Sequence, residues 1–104
     1  MKGTEKQIAF ANKLIDTMNA KFDELIIFFS DKDEKQMIAF RDGKEKYNEI
    51  FDNSYAGDVI ELLKYNKYDS CLDYYRDLCA ALRIGVTTEP LCRKIMKEVY
   101  GKEW

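Results

Sequence analysis

The sequence predicts an all-α fold, a compact bundle of about five helices with a long N-terminal helix, on three observations. Apolar residues recur at spacings of three and four along most of the chain. Small polar capping residues and isolated glycines divide those stretches, and there is one proline. No segment shows the sustained apolar–polar alternation of a half-buried strand.

The first helix is expected over roughly Thr4 to Phe29. Thr4 followed by Gln7 makes a capping box. Ile8, Ala11, Ile15, Met18, Phe22, Leu25 and Phe29 then form one uninterrupted stripe, widened by Leu14 and Ile26. The run Ile26 to Phe29 has strand propensity, but it continues the helical period. Ser30 to Asp33 reads as a stop and a new cap. A second helix follows from about Asp33 to Phe51, with Met37, Phe40, Tyr47, Ile50 and Phe51 on one face. The polar stretch 41–46 contains Gly43, which costs a helix about 1 kcal/mol relative to Ala, so helix and kink are both open there.

Asp52-Asn53-Ser54 is a turn, and a short third helix is expected over about Tyr55 to Tyr65, carrying Val59, Ile60, Leu62 and Leu63. Ser70 opens a fourth, with a stripe of Cys71, Tyr75, Leu78 and Leu82 and with Gly85 as a left-handed cap. Thr87 or Thr88 caps the fifth, where Pro90 is tolerated in the first turn. Leu91, Ile95 and Val99 form its apolar face and Gly101 ends it.

A length of 104 residues is that of one domain, 1–104. The hydrophobic fraction of 46% excludes a disordered chain. A net charge of −2 gives no general attraction to nucleic acid. Cys71, Cys79 and Cys92 are odd in number and form no CxxC pair, which fits neither a disulfide framework nor a zinc site. Reduced thiols and a cytoplasmic location are the expectation. The first residues lack the apolar run of a signal peptide. The longest apolar run, Leu25 to Phe29, is far short of the ~20 residues that span a bilayer, so no membrane is expected.

Several chemistries lack their residues. With no histidine, the Cys–His and Ser–His nucleophile pairs and the commonest metal ligand are missing. No glycine-rich phosphate loop is present. Asp31, Asp33 and Glu34 are acidic enough to suggest a cation. However, Lys35 and Gln36 stand where a calcium loop needs an acidic or amide residue and then a glycine, so helix capping is the better account. Glu45 and Glu49 share a helical face but lie among Lys44, Lys46 and Asn48, as on a solvated surface. Cys79 and Cys92 flank the Gly85 turn and approach each other if the last two helices pack as a hairpin. Neither an enzyme nor a cofactor is expected.

Two surfaces remain. Tyr55, Tyr65, Tyr68, Tyr74 and Tyr75 crowd into twenty-one residues. Tyrosine suits interfaces because it joins apolar area to a hydrogen bond. Of these, Tyr55, Tyr65, Tyr68 and Tyr74 are the candidate protein interface. The last two helices also resemble a helix–turn–helix, with Ala81, Gly85, Val86 and Leu91 at packing positions. In that reading Arg83, Arg93, Lys94, Lys97 and Lys102 meet phosphates, against Glu89, Glu98 and Glu103. The long first helix offers a further place for a partner, or for a second copy in a homodimer.

The opening residues Gly3-Thr4-Glu5-Lys6-Gln7-Ile8-Ala9-Phe10-Ala11 resemble the start of small helical proteins of bacterial phages and mobile elements, which share the pattern G-[ST]-x-K-Q-I-x-[WF]-A. This resemblance covers about a tenth of the chain. It implies an accessory protein of a phage or mobile element, a setting in which small non-enzymatic chains bind host or rival proteins, anti-CRISPR-type inhibitors among them. The function expected is therefore a non-catalytic protein-binding accessory or inhibitor protein, with a helix–turn–helix DNA-binding regulator as the alternative.

Overall fold

A computed structural model of the chain describes residues 1–102, which form five helices and no sheet: α1 (Glu5–Phe29), α2 (Glu34–Asp52), α3 (Ala56–Leu63), α4 (Cys71–Gly85) and α5 (Pro90–Glu98). At 1.5 Å per residue α1 is about 37 Å long, nearly the 41 Å longest dimension of the molecule. It is the spine against which α2, α3 and α4 pack. The helix α5 closes the far side by packing on α4 and α2. Among the described residues no helix is long and apolar enough to cross a membrane.

Local chemistry starts α1 as expected. The Gln7 N–H donates to Thr4 Oγ1 at 3.1 Å and the Thr4 N–H donates to Gln7 Oε1 at 3.0 Å. The segment before it does something the pattern did not reveal. Lys2 pairs with the chain entering α3, its N–H donating to the Ser54 carbonyl at 3.1 Å and its carbonyl accepting from the Ala56 N–H at 2.7 Å. Gly3 allows this approach, because a Cβ there would stand 3.1 Å from Ala56 Cβ at a φ of 151°.

The core is built from the expected stripe. Ala11, Ile15, Met18, Phe22 and Leu25 of α1 are buried, and Ile8 and Phe29 are half-buried at its ends. Phe22 is the hub of an aromatic cluster, with ring centroids 5.5 Å from Tyr47, 5.9 Å from Tyr75 and 6.3 Å from Phe40. Phe29 stacks on Phe40 at 5.5 Å, so the start of α2 covers much of the last turn of α1. Register between α1 and α2 is held by reciprocal amide bonds of 2.8 and 3.1 Å between Asn19 and Asn48, beside a Lys44–Asp23 pair at 2.7 Å.

The helix α2 runs unbroken through residues 41–46. Gly43 is buried within it, and a Cβ there would meet Phe22 and Val99 at an ordinary 3.9 Å. The acidic cluster caps this helix: Asp33 Oδ1 accepts from the Gln36 N–H at 3.2 Å. In α4 the buried line is Tyr74, Leu78, Leu82 and Gly85, one residue earlier at its start than the stripe through Tyr75. Gly85 is not a left-handed cap. Its backbone stays helical, and its missing side chain makes room for α5, because a Cβ there would lie 2.6 Å from Cys92 Sγ. Glu89, rather than Thr87 or Thr88, sits at the N-cap of α5, and Pro90 takes the first helical position. Gly101 ends the last helix at φ 64°, its N–H donating to the Lys97 carbonyl and the Lys102 N–H to the Met96 carbonyl.

Candidate functional site

Of the four tyrosines expected at an interface, the fold brings two together on one surface. Tyr65, at the end of α3, is 73% exposed, and Tyr68, in the connection to α4, is 52% exposed. Tyr65 lines a groove of about 350 Å³ between α3 and α4, whose apolar lining includes Leu62, Ala80, Ala81 and Ile84. Tyr68 borders an adjoining groove with Asp73, Arg76, Asp77 and Ala80. The two share Asp77 and Ala80, so they form one continuous surface along α4.

Tyr55 is exposed but lies apart from this surface, where the Lys2 ammonium stands 5.6 Å from its ring centroid. Tyr74 is a correction. It is 2% exposed and belongs to the core face of α4, so no partner reaches it. Burial, reinforced by the nearby Asp77 carboxylate, pushes its phenol up to about 12. Its carbonyl accepts a 2.9 Å bond from Asn66 Nδ2, which ties the α3–α4 connection to α4.

The residue that sequence reasoning missed is Ile84, 81% exposed and the most exposed large apolar side chain of the described chain. Its signal was present. It falls off the Leu78–Leu82–Gly85 line, and a large aliphatic residue off the buried face of an amphipathic helix is one that the core does not use. The surface is also acidic. Glu61, Asp73, Asp77 and Glu89 border it, with Arg76 as the cation among its lining residues. Two of these charges are partly satisfied locally: Glu61 accepts from Lys64 Nζ at 2.6 Å, which pushes the lysine up, and Asp73 lies 3.5 Å from Arg76.

The basic candidates are arranged differently. Arg93, Lys94 and Lys97 are exposed on α5, after a four-residue turn. Lys94 faces a groove of about 340 Å³ between α2 and α5, which it shares with Lys46, Glu49, Ile50, Asn53 and Glu98. Its acidic and basic side chains are equal in number, and Glu45 does not line it. Arg83 and Lys102 lie away from that groove, together beside Cys79, Leu82, Met96 and Tyr100. Glu103 is outside the described residues.

The hairpin of α4 and α5 forms, but it does not bring Cys79 to Cys92. Cys92 packs on Gly85, more than a turn along α4 from Cys79, and burial with Glu89 nearby pushes its thiol up to about 11. Cys79 instead faces a cluster of phenols. Tyr100 Oη lies 2.9 Å from both Tyr47 Oη and Tyr75 Oη, and 3.9 Å from Cys79 Sγ. Burial pushes all three phenols well above their ordinary range. They are neutral hydrogen-bonding groups at physiological pH.

No family model, curated protein or solved structure matches this chain.

Proposed function

We propose that the protein is a non-catalytic binding module that acts through the α3–α4 surface, with Tyr65 and Ile84 as its anchors. The observation that carries this reading is their joint exposure, 73% and 81%, on one groove whose lining includes Leu62, Ala80 and Ala81. Large side chains left in water side by side on one groove, rather than singly as Ile27 is at 72% exposure, favour a surface used by a partner. With Glu61 beside Lys64 and Asp73 beside Arg76, Asp77 and Glu89 leave the surface an excess of negative charge, which favours a partner segment that carries lysine or arginine beside its apolar anchors. The resemblance of Gly3 to Ala11 to phage and mobile-element proteins supports an accessory or inhibitor role against a host or rival protein, and anti-CRISPR-type inhibition is one such role.

The test is affinity capture from bacterial lysate with wild type and with the Tyr65→Ala/Ile84→Ala double variant, each with and without nuclease. A stoichiometric protein that resists nuclease and is lost with the double variant supports the reading. Capture that is indifferent to both substitutions contradicts it.

The exposure of Arg93, Lys94 and Lys97 on a short helix after a four-residue turn favours a second reading, a DNA-binding regulator. That reading requires duplex binding which weakens steeply with salt and falls with Lys94→Ala and Lys97→Ala.

A further inference from the structure

The walls of the α3–α4 groove limit the kind of segment that can fill it. Every wall is a helix or a connection between helices. A helix spends its backbone N–H and C=O groups on itself, so such walls offer side chains and no hydrogen-bonding ladder. The described residues hold no sheet whose edge an extended segment could join. A segment that buries apolar side chains here has to satisfy its own backbone, because a buried unpaired amide is costly. A helix does so along its length.

The relief of the groove fits a helix as well. Asp77, Ala80, Ala81 and Ile84 recur at helical spacing along α4, with Tyr65 contributed by the end of α3. Ala80 is exposed and Ala81 half-buried, so the middle of the groove is low, while Tyr65 and Ile84 stand out into water. Packed helices approach to about 8–10 Å between axes, and small side chains at the crossing allow the nearer distance. The α4 face from Asp73 to Ile84 is about 17 Å long, room for about three turns of a partner helix.

Charge supplies the second half of the argument. The lining of this groove holds Glu61, Asp77 and Glu89 and no lysine or arginine. Glu61 is paired with Lys64 outside the groove, which leaves Asp77 and Glu89, on either side of the Ala80–Ile84 stretch, for a partner's cations. Resting on the binding-surface reading above, we infer that the α3–α4 groove takes a basic amphipathic helix of about three turns. Its apolar face lies over Ala80 and Ala81 between Tyr65 and Ile84, and its lysines or arginines meet Asp77 and Glu89.

The experiment uses three fluorescein-labelled peptides of about fourteen residues. The first carries leucine at i, i+3, i+4 and i+7 and lysine on its other faces. The second has glutamate in place of the lysines. The third keeps both residue types but has two central prolines, which break the helix. Anisotropy gives the affinity, and the amide NMR signals of Ala80, Ala81 and Ile84 give the site. The first peptide is expected to bind at submillimolar concentration, to move those three signals and to gain helicity by circular dichroism. The other two are expected to bind at least about tenfold more weakly. Ala80→Gln, on an exposed position that leaves the core intact, is expected to weaken the first peptide severalfold. Asp77→Asn/Glu89→Gln is expected to weaken it and to flatten its salt dependence. Signals that move only elsewhere, equal binding of the proline peptide, or indifference to Ala80→Gln would each overturn the helical occupant. Any of these, with lysate capture still lost in the Tyr65→Ala/Ile84→Ala variant, sinks the helical occupant alone; capture indifferent to that variant sinks the surface reading itself.

Discussion

Alanine at Gly85 and alanine at Gly43 are expected to change stability in opposite directions. Both glycines are buried in helices, and in an open helix interior alanine is favoured over glycine by about 1 kcal/mol. At Gly43 the added methyl meets Phe22 and Val99 at 3.9 Å, ordinary contact, so Gly43→Ala is expected to keep that gain and stabilise by about 0.5–1 kcal/mol. At Gly85 the methyl falls 2.6 Å from Cys92 Sγ, a separation that requires movement of a side chain itself 2% exposed. Overpacking of this kind costs about 1–3 kcal/mol, which exceeds the propensity gain, so Gly85→Ala is expected to destabilise by roughly 0.5–2 kcal/mol. Cys92→Ala removes the sulfur at a cost on the order of 1 kcal/mol for one buried heavy atom. It leaves Cys92 Cβ at 3.4 Å and Glu89 Cβ at 3.6 Å, which alanine tolerates. In that background Gly85→Ala is expected to turn neutral or stabilising, a coupling of about 1–2 kcal/mol. Urea denaturation of the four proteins measures it, and each kcal/mol shifts the thermal midpoint by about 4–8 °C in a chain of this size. A Gly85→Ala variant as stable as wild type, or the same loss with and without the sulfur, would refute the close packing of α4 on α5.

Other expectations concern different parts of the molecule. Alkaline pH is expected to destabilise the fold as the buried thiol and the buried phenols are driven to ionise, and two of these groups have windows that can be followed singly. The folded Cys92 thiol titrates near 11 rather than 9.0, so its contribution is complete below pH 9.0 and is lost as the unfolded thiol ionises between there and about 11. The Tyr74 phenol acts likewise between 10.0 and about 12; Cys92→Ala and Tyr74→Phe should each flatten the fall of stability in their own window, as followed by denaturation across pH. The Tyr65→Ala/Ile84→Ala double variant is expected to unfold within about 0.5 kcal/mol of wild type, because both side chains are largely in water, and calorimetry checks this. Lys44→Ala breaks the 2.7 Å pair with Asp23, but both groups are partly exposed, so a loss below about 1 kcal/mol is expected and should shrink with added salt.

Much of the fold was legible because helical periodicity is a local signal. The α1 stripe from Ala11 to Leu25 is buried as its spacing implied, and Thr4–Gln7, Asp33 and Ser70 cap where their side chains suggested. What the pattern lost depended on distant neighbours. Tyr74 and Tyr75 are adjacent and both aromatic; the spacing placed Tyr75 on the buried stripe and left Tyr74 for an interface, whereas the packing of α4 puts Tyr74 in the deep core. Gly85 has the identity of a left-handed cap, and only the approach of Cys92 from the next helix shows that it is there for space. The pairing of Lys2 with the start of α3 joins residues more than fifty positions apart and carries no periodic mark. The candidate sites divide in the same way. Tyr65 and Tyr68 were visible as a crowd of tyrosines, whereas Ile84 required the orientation of α4. The phenol cluster draws on Tyr47, Tyr75 and Tyr100, three residues that nothing in the linear sequence associates.

The most direct test of the binding surface is site-specific photocrosslinking. A photoreactive amino acid replaces Tyr65 or Ile84 in one set of proteins and Arg93 in another, and crosslinks are collected in bacterial lysate. The account expects one protein adduct, shared by positions 65 and 84, missing at 93 and unaffected by nuclease. An adduct that forms at 93 and vanishes with nuclease, with none at 65 or 84, would contradict it and move the function to α5.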